Sequence, residues 1–315
     1  MSKLSIIIPV YFNEMNLHDL YEDIKLKIIP YIEEYELIFV DDGSEDRSFE
    51  ILKSFKAKDR NVKIIRLSRN FGSHAAILAG LTHATGDCAV MKTADLQEPS
   101  EMIVEMYAKW KKGANVVLAI RKDRPESWLQ RSLSNLYYRI MRTIALKDMP
   151  IGGFDCFLID RKVIKVLELM DEKNSTLMGQ IIWSGFKTDK VFYSRLERSK
   201  GKSRWTFYKK FKLFVDSILS FSYFPVRFIS ALGIFTFVLT IFWLIFIIYS
   251  KLFVGIEVEG WTTLIITNLL FYGLILLTLG IIGEYLWRIF DASRGRPTFI
   301  VEEVLDQQGE KNEKL

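Results

Sequence analysis

The pattern of hydrophobic and polar residues divides the chain into two parts. From Met1 to Ser222, short apolar runs alternate with amphipathic stretches and charged turns, whereas Phe, Ile, Leu, Val and Trp dominate from Phe224 to Ile289. The first pattern is typical of a soluble α/β domain, and the second is typical of membrane-spanning helices. We therefore expect a globular domain that is followed by a membrane segment.

Within the first part, β-branched runs that end in turn residues alternate with stretches of helical spacing. Strands are predicted at Leu4–Tyr11, Leu37–Val40, Val62–Leu67 and Asp87–Lys92. Helices are predicted between them at Leu17–Ile32, Arg47–Lys58 and Ala75–His83. Repeated β-α-β units favour a parallel sheet covered by helices, which binds ligands beyond the carboxyl ends of its strands. Polar clusters follow three of these strands, at Asn13-Glu14, Asp41-Asp42 and Thr93-Ala94-Asp95.

Two long apolar stretches, Phe224–Tyr249 and Trp261–Trp287, are each long enough to cross a hydrocarbon core of about 30 Å. Their connection is short, so we expect an antiparallel transmembrane hairpin. Basic residues flank the hairpin on both sides and only Lys251 lies between, which predicts an inner-membrane protein with both termini in the cytoplasm. Glu284, near the end of the second stretch, is expected to pair with Arg288 one turn later.

Two further segments, Trp128–Ala145 and Trp205–Leu219, carry apolar residues at helical spacing with interleaved basic residues. They are either ordinary surface helices or helices in the headgroup plane whose basic side chains contact lipid phosphates, and their neighbourhood to the hairpin favours the second interpretation. The expected organisation is a cytoplasmic domain at 1–204 with an interfacial helix near 128–146, a juxtamembrane amphipathic helix at 205–222, the hairpin at 223–290, and a cytoplasmic tail at 291–315.

Composition narrows the classes of function. The net charge of the 315 residues is only +5, and the basic residues cluster around the apolar region, so no nucleic-acid partner is expected. Cys88 and Cys156 lack metal-ligand spacing and are interpreted as small core residues rather than a zinc site or a disulfide. The amino-terminal run meets Pro9 too early for a signal peptide, so we expect that the catalytic domain is not secreted.

Two motifs after predicted strands carry candidate chemistry. Asp41-Asp42-Gly43-Ser44, with Asp46, supplies acceptors for a nucleotide and a glycine that permits close backbone approach, although alone it could be a simple turn. Asp95, followed by Gln97-Glu98-Pro99, offers oxygen ligands that could hold Mg²⁺ or Mn²⁺ against a diphosphate. Together, in this order, they indicate a nucleotide site beside a divalent cation.

The chain resembles family 2 glycosyltransferases of the GT-A fold, which is Rossmann-like. Within them it is similar to the polyprenyl-phosphate glycosyltransferases related to dolichol-phosphate mannosyltransferase and to bacterial enzymes that make undecaprenyl-phosphate glucose. The resemblance covers nearly the whole chain. It rests on motifs in fixed order: Ile8–Glu14, Val40–Asp46, Ser68–Gly72, Ala94–Pro99, Gly152–Arg161, Arg198 with Gly201–Trp205, and Gly283–Arg288 before Arg296-Pro297.

The resemblance implies roles at matching positions. It places the nucleotide against Pro9, Tyr11, Glu14 and Asp42. It assigns the metal to Asp95 and Gln97, and catalytic roles to Asp95 and to Asp155, which would lie near the reacting acceptor. It assigns the lipid phosphate or the donor diphosphate to Arg121, Arg124, Arg131, Arg198 and Ser203. The competing interpretations are a solvated charged face for the arginines, and a structural pair or a cap of the helix near Arg161 for Asp155.

The expected reaction is an inverting transfer of a hexose from a nucleotide-sugar to polyprenyl phosphate. The donor is expected to be a UDP-sugar, with a GDP-sugar as the alternative, and the hairpin could pack into a homo-oligomer among membrane lipids. Family members usually carry Asp-x-Asp where this chain has Thr93-Ala94-Asp95, which puts the metal or donor contact in question. The alternatives are a polymerising family 2 synthase, and a non-catalytic scaffold that binds anionic lipid and is supported by Thr93.

Overall fold

A computed structural model describes residues 2–122, 128–150, 153–170, 172, 175–196, 216–249, 252–253 and 260–306. The chain forms two compact units. The first comprises Met1–Ser217 with Pro297–Leu315, and the second comprises Ile218–Arg296.

A mostly parallel sheet forms the centre of the first unit. Its eight strands within the described ranges are β1 (Lys3–Val10), β2 (Glu34–Asp41), β3 (Val62–Leu67), β4 (Cys88–Met91), β5 (Val116–Arg121), β6 (Cys156–Asp160), β7 (Thr188–Tyr193) and β8 (Val301–Leu305). Their order is β7-β5-β6-β4-β1-β2-β3-β8. Strands β6 and β8 run antiparallel to their neighbours, and the other pairs are parallel. The expected α/β fold class is therefore confirmed.

Helices connect most of these strands. In this unit they are α1 (Leu17–Lys27), α2 (Ser48–Lys58), α3 (Ser73–Thr82), α4 (Glu101–Lys111), α5 (Trp128–Ile144), α6 (Arg161–Glu168) and α7 (Leu177–Trp183). The predicted helix at Leu17–Ile32 ends earlier, at Lys27, because Pro30 begins a separate 3-10 turn at Ile29–Tyr31. The predicted helix near 128–146 is present as Trp128–Ile144, whereas only 216–222 of the juxtamembrane segment lies inside the described residues.

Both faces of the sheet are covered. Three consecutive residues of β1, Ile6, Ile7 and Ile8, are fully buried, which is the pattern of a parallel strand between two layers of helices. Gly80 lets α3 lie close to the sheet, since a Cβ atom there would be 2.4 Å from Cγ2 of Ile7. Cys88 and Cys156 are free and buried in this core, as predicted.

The carboxyl-terminal segment does not remain outside the domain. Residues 301–305, which were expected to belong to a separate tail, form β8 and pair antiparallel with β3. The backbone N–H of Ser68 also donates to the carbonyl of Ile300, at 3.0 Å. The sheet of the first unit is thus completed by chain that follows the second unit in sequence.

The second unit contains two long apolar helices, α8 (Phe224–Tyr249) and α9 (Trp261–Ser293). Both are long and apolar enough to cross a membrane, over Phe224–Trp243 and Thr267–Ser293, by length and composition. The expected ion pair is present, because Nε of Arg288 lies 3.2 Å from Oε1 of Glu284. Arg288 also donates from Nη1 to the hydroxyl of Ser220, at 3.3 Å.

Candidate active site

One edge of the sheet collects most of the predicted site residues. Strands β1, β2, β4, β5 and β7 all end at this edge, because β6 is antiparallel to both β4 and β5. Asp155 immediately precedes β6 and therefore lies at the same edge, although the other site residues follow their strands. We call this the carboxyl edge of the sheet.

The loop after β2 is anchored by Asp42. Its carboxylate oxygens accept hydrogen bonds from the backbone N–H groups of Phe71, at 2.7 Å, and Gly72, at 2.9 Å. Burial raises the pKa of Asp42, and these two bonds only partly offset the effect. Gly43 has a φ of +70°, and a Cβ atom there would lie 2.7 Å from the backbone carbon of Arg69. Asp42 and Gly43 thus join the two loops that follow β2 and β3.

The loop after β1 is joined to the same region. The N–H of Tyr11 donates to Oδ1 of Asn13, at 2.9 Å, while Oε2 of Glu14 accepts from the N–H of Arg47, at 3.1 Å. Pro9 is opposite Val40 in the register of β1 and β2. The residues expected to bind the nucleotide therefore share two neighbouring strand ends, and their role remains a prediction.

The loop after β4, residues 93–98, contains the predicted metal ligands, and we call it the metal loop. Its own side chains hold it in place. The hydroxyl of Thr93 donates to Oδ1 of Asp95, at 2.9 Å, and that oxygen also accepts from the N–H of Gln97, at 3.3 Å. Between them, Leu96 has a φ of +57°, which side-chain-bearing residues rarely adopt. Thr93, which stands at the first position of the expected Asp-x-Asp motif, is thus a direct partner of Asp95.

A buried acid lies beneath this loop. The carboxyl group of Glu98 contacts the hydroxyl of Thr93 and accepts from its backbone N–H, at 3.3 Å. The buried ammonium of Lys92 donates to the backbone carbonyl of Glu98, at 3.1 Å. Burial raises the pKa of Glu98, and the nearby carboxylates of Asp95 and Asp155 add to the effect. The raised pKa favours the neutral form of Glu98 beneath the loop.

The chemistry of the loop fits a magnesium or manganese ion. A carboxylate and an amide oxygen, from Asp95 and Gln97, are the hard oxygen ligands that these ions prefer. Among the described residues no three or more His, Cys, Asp or Glu side chains form a group that could hold a metal. Such an incomplete set suits an ion whose remaining positions are filled by phosphate oxygens and water.

Asp155 is fixed by two partners. Its Oδ2 accepts hydrogen bonds from Nε of Arg121 and from the hydroxyl of Tyr193, the latter at 2.8 Å. Burial and the neighbouring Asp155 raise the pKa of Tyr193, so this phenol keeps its proton and remains a donor. Asp155 does not cap the following helix; that role belongs to Asp160, which accepts from the N–H of Lys162 at 2.9 Å.

The structure changes the interpretation of Arg121 and adds Tyr193 and Arg195 to the candidate site. Arg121 was expected at a phosphate, but its Nε is engaged with Asp155. Tyr193 and Arg195 were not predicted from sequence. Arg195 donates from Nη2 to Oε1 of Gln97, and the N–H of Leu196 donates to the carbonyl of Gln97 at 3.0 Å. The end of β7 thus contacts both Asp155 and the metal loop.

The remaining predicted phosphate ligands are not placed at this edge. Arg124, Arg198 and Ser203 lie outside the described residues, and of Arg131 only the backbone, within α5, is described. Their expected contacts with the lipid phosphate or the diphosphate therefore stay predictions.

Comparison with known proteins decides the family. Residues 5–168 match the profile of Glycosyl transferase family 2, and this range includes most of β1, all of β2 to β6, the metal loop and Asp155. The chain belongs to this family. This family 2 glycosyltransferase is 41% identical over 299 residues to the uncharacterized glycosyltransferase YkcC of Bacillus subtilis, covering 95% of this chain and 93% of that protein. It is 33% identical over 303 residues to the bactoprenol glucosyl transferase of Shigella phage SfV, covering 95% and 98%.

Solved structures give more distant matches. The mannosyltransferase PcManGT from Pyrobaculum calidifontis, in complex with GDP-Man and Mn²⁺, is 16% identical with a TM-score of 0.47, covering 64% of this chain and 58% of that one. TarS of S. aureus, residues 1–349 in complex with UDP-GlcNAc, is 20% identical with a TM-score of 0.46, covering 70% and 67%. The family assignment and the sheet order, rather than these matches, confirm the expected GT-A class.

Proposed function

We propose that this glycosyltransferase moves a hexose from a nucleotide-sugar to polyprenyl phosphate at the cytoplasmic face of the membrane, with inversion at the anomeric carbon. The observation that carries the proposal is the similarity to the phage bactoprenol glucosyl transferase, which extends over nearly the full length of both chains and includes both apolar helices. A donor site alone would not need this hairpin, whereas an acceptor with a polyprenyl tail resides in the bilayer.

The carboxyl edge supports a reaction that depends on positioning. A phosphate acceptor is already anionic at neutral pH, so it needs little activation by a general base. Asp155, held by Arg121 and Tyr193, would orient the acceptor or the sugar instead of removing a proton. When bound at Asp95 and Gln97, Mg²⁺ or Mn²⁺ would supply positive charge for the departing nucleoside diphosphate.

The donor and the membrane topology belong to the same proposal. A UDP-sugar is the favoured donor and a GDP-sugar the alternative. The helices α8 and α9 would cross the inner membrane as a hairpin with both termini in the cytoplasm, as the flanking basic residues suggest. Arg198 and Ser203, which were predicted as phosphate ligands, would then meet the lipid phosphate close to the membrane surface.

The proposal is tested with the full-length protein in lipid nanodiscs. The purified protein is incubated with undecaprenyl phosphate, Mg²⁺ and each of a panel of radiolabelled UDP- and GDP-sugars, and label is measured in the organic extract. We expect label with one donor, and a loss of about 10- to 100-fold for Asp155→Asn. A radiolabelled polymer would instead indicate a polysaccharide synthase, and absence of label with every donor would favour the lipid-binding scaffold.

A further inference from the structure

Arg195 contacts the side-chain atom of Gln97 that could ligate a cation. Nη2 of Arg195 donates a hydrogen bond to Oε1 of Gln97. The side-chain nitrogen of a glutamine amide has no lone pair available for a metal, so Oε1 is the ligating atom in the predicted site. A guanidinium at this position places a positive charge beside the cation site and repels an incoming divalent ion. Arg195 and the cation therefore compete for the same oxygen.

A second observation indicates that Arg195 is prepared for another partner. Its Nε is buried and has no hydrogen-bond partner among the described residues. A buried donor without an acceptor is unfavourable, so a ligand that supplies an acceptor is stabilised there. The guanidinium presents its donors in a planar fork that matches the oxygens of a phosphate.

The backbone around Arg195 is anchored, so its side chain is the part that can turn. On one side, the carbonyl of Tyr193 accepts from the N–H of Lys122, at 2.8 Å. On the other, the N–H of Leu196 donates to the carbonyl of Gln97, at 3.0 Å. These bonds hold Arg195 beside the metal loop whichever partner its guanidinium takes.

We propose that Arg195 is a binding residue for the donor diphosphate that occupies Gln97 while the site is empty. When the nucleotide and the cation arrive, the guanidinium turns from Oε1 of Gln97 to the diphosphate oxygens and releases that oxygen for the metal. This assignment rests on the proposed function in one respect: it requires a nucleoside diphosphate at the carboxyl edge. It adds an ordered exchange of partners that couples metal binding to donor binding.

The first test measures Mn²⁺ binding to the full-length protein without nucleotide, by electron paramagnetic resonance titration. Arg195→Ala removes the competitor, so we expect Mn²⁺ to bind about 3- to 10-fold more tightly than to the wild type. Arg60→Ala is the matched control, because it removes an exposed arginine from the turn before β3, at the opposite edge of the sheet. This control is expected to leave the Mn²⁺ affinity unchanged.

The second test measures the affinity for UDP and for GDP at saturating Mn²⁺, by isothermal titration calorimetry. Arg195→Ala is expected to weaken the better-bound nucleotide by about 10-fold or more, since it loses charge-assisted hydrogen bonds. Arg195→Lys, which keeps the charge without the fork, is expected to lie between the alanine variant and the wild type. A variant that was only misfolded would lose both affinities, so opposite changes in the two measurements are specific to the exchange.

A double-mutant cycle locates the competition at Gln97. In a Gln97→Ala background, Arg195→Ala should strengthen Mn²⁺ binding without nucleotide by less than it does in the wild-type background, because only the charge repulsion is then relieved, but it should still weaken nucleotide binding. If Arg195→Ala changed neither affinity in a protein that binds nucleotide, or weakened Mn²⁺ binding without nucleotide, the assignment would be wrong while the proposed function stood. If the wild type bound neither UDP nor GDP with Mn²⁺, both would be wrong.

Discussion

Two buried glutamates at opposite edges of the same sheet have opposite surroundings. Glu36, near the start of β2, is 6% exposed and accepts hydrogen bonds from Ser5, Thr85, Gly86 and Lys3. Glu98, after β4, is 3% exposed, and the backbone N–H of Thr93 donates to its carboxyl group. Burial alone raises the pKa of both. For Glu36 the hydrogen bonds outweigh burial and the pKa is lowered, whereas that of Glu98 stays raised.

The difference separates stability from function within one sheet. Glu36 lies at the opposite edge, where β1 and β2 begin, which we call the amino edge; its carboxylate accepts several hydrogen bonds from the protein, so it stabilises the fold. At the carboxyl edge, burial keeps the charge of Glu98 unfavourable, and the nearby carboxylates of Asp95 and Asp155 add to this effect. A fold tolerates such unfavourable charge at positions where a ligand offsets it. Substitutions at the two edges should therefore have different consequences.

The largest effect is expected from Asp95→Asn at the carboxyl edge. The amide keeps the size of the side chain but removes the charge that would hold the cation, so transfer should fall by about 100-fold or more. The unfolding temperature should stay equal or rise, because repulsion with Glu98 is relieved. Both are measured on the full-length protein, by the radiolabel assay and by thermal unfolding in detergent. Wild-type turnover by this variant would contradict the assignment of function to the carboxyl edge.

At the amino edge, Glu36→Gln should reverse this pattern. The amide nitrogen replaces an acceptor that faces several hydrogen-bond donors, so we expect a loss of about 2 kcal/mol in the free energy of unfolding. The affinity for the nucleotide-sugar should be unchanged. Because the pKa of Glu36 is lowered by folding, its stabilisation is present above the unfolded pKa of about 4.3 and is lost as the pH falls through the folded value. The stability gap between wild type and variant should narrow from pH 5 downward; a constant gap would contradict this account.

Gly43→Ala should affect both properties, by a smaller amount. A residue with a side chain at a φ of +70° costs about 1 kcal/mol, and here its Cβ would also collide with the backbone of Arg69. Gly113→Ala is the matched control, since Gly113 also has a positive φ, of +94°, but a Cβ there meets nothing within 4 Å. Thermal unfolding and nucleotide titration should show a greater loss for Gly43→Ala. Equal losses would mean that the contact with Arg69 is unimportant.

The smallest effect is expected from Glu302→Ala. Its carboxylate lies 3.4 Å from Nε of Arg66 but is more than half exposed, so the pair contributes at most about 0.5 kcal/mol. Urea unfolding at low and high salt should show a small difference that disappears at high salt. A loss above about 1 kcal/mol would indicate that Arg66, which also lies 3.8 Å from the buried Asp41, depends on this partner.

The sequence predicted those parts of the site that depend on neighbours in the chain. Asp41-Asp42-Gly43 and Asp95 with Gln97 follow apolar strands directly, and the parallel topology then places them at one edge. Tyr193 escaped prediction because the sequence of β7, TDKVFY, begins with three polar residues and indicates no site. It reaches Asp155 through the register of β5 with β7, in which Arg121 is opposite Tyr193. Such pairings between distant segments leave no local pattern.

Two further differences have the same physical origin. Arg121 was assigned to a phosphate by its position in a motif, but its nearest anion is Asp155, which is brought to it by the antiparallel pairing of β5 with β6. The strand β8, with the sequence VEEVL, is short and acidic and lies in a polar segment, so its pattern does not predict a strand. Its edge position beside β3 supplies the partner that its own residues do not specify.

The position of β8 in the sequence also determines when the sheet can be completed during synthesis. Its partner strand β3 emerges early, but β8 is made only after both apolar helices, so the sheet cannot be completed until the hairpin has left the ribosome. In the interval, β3 has an open edge that can pair with other chains.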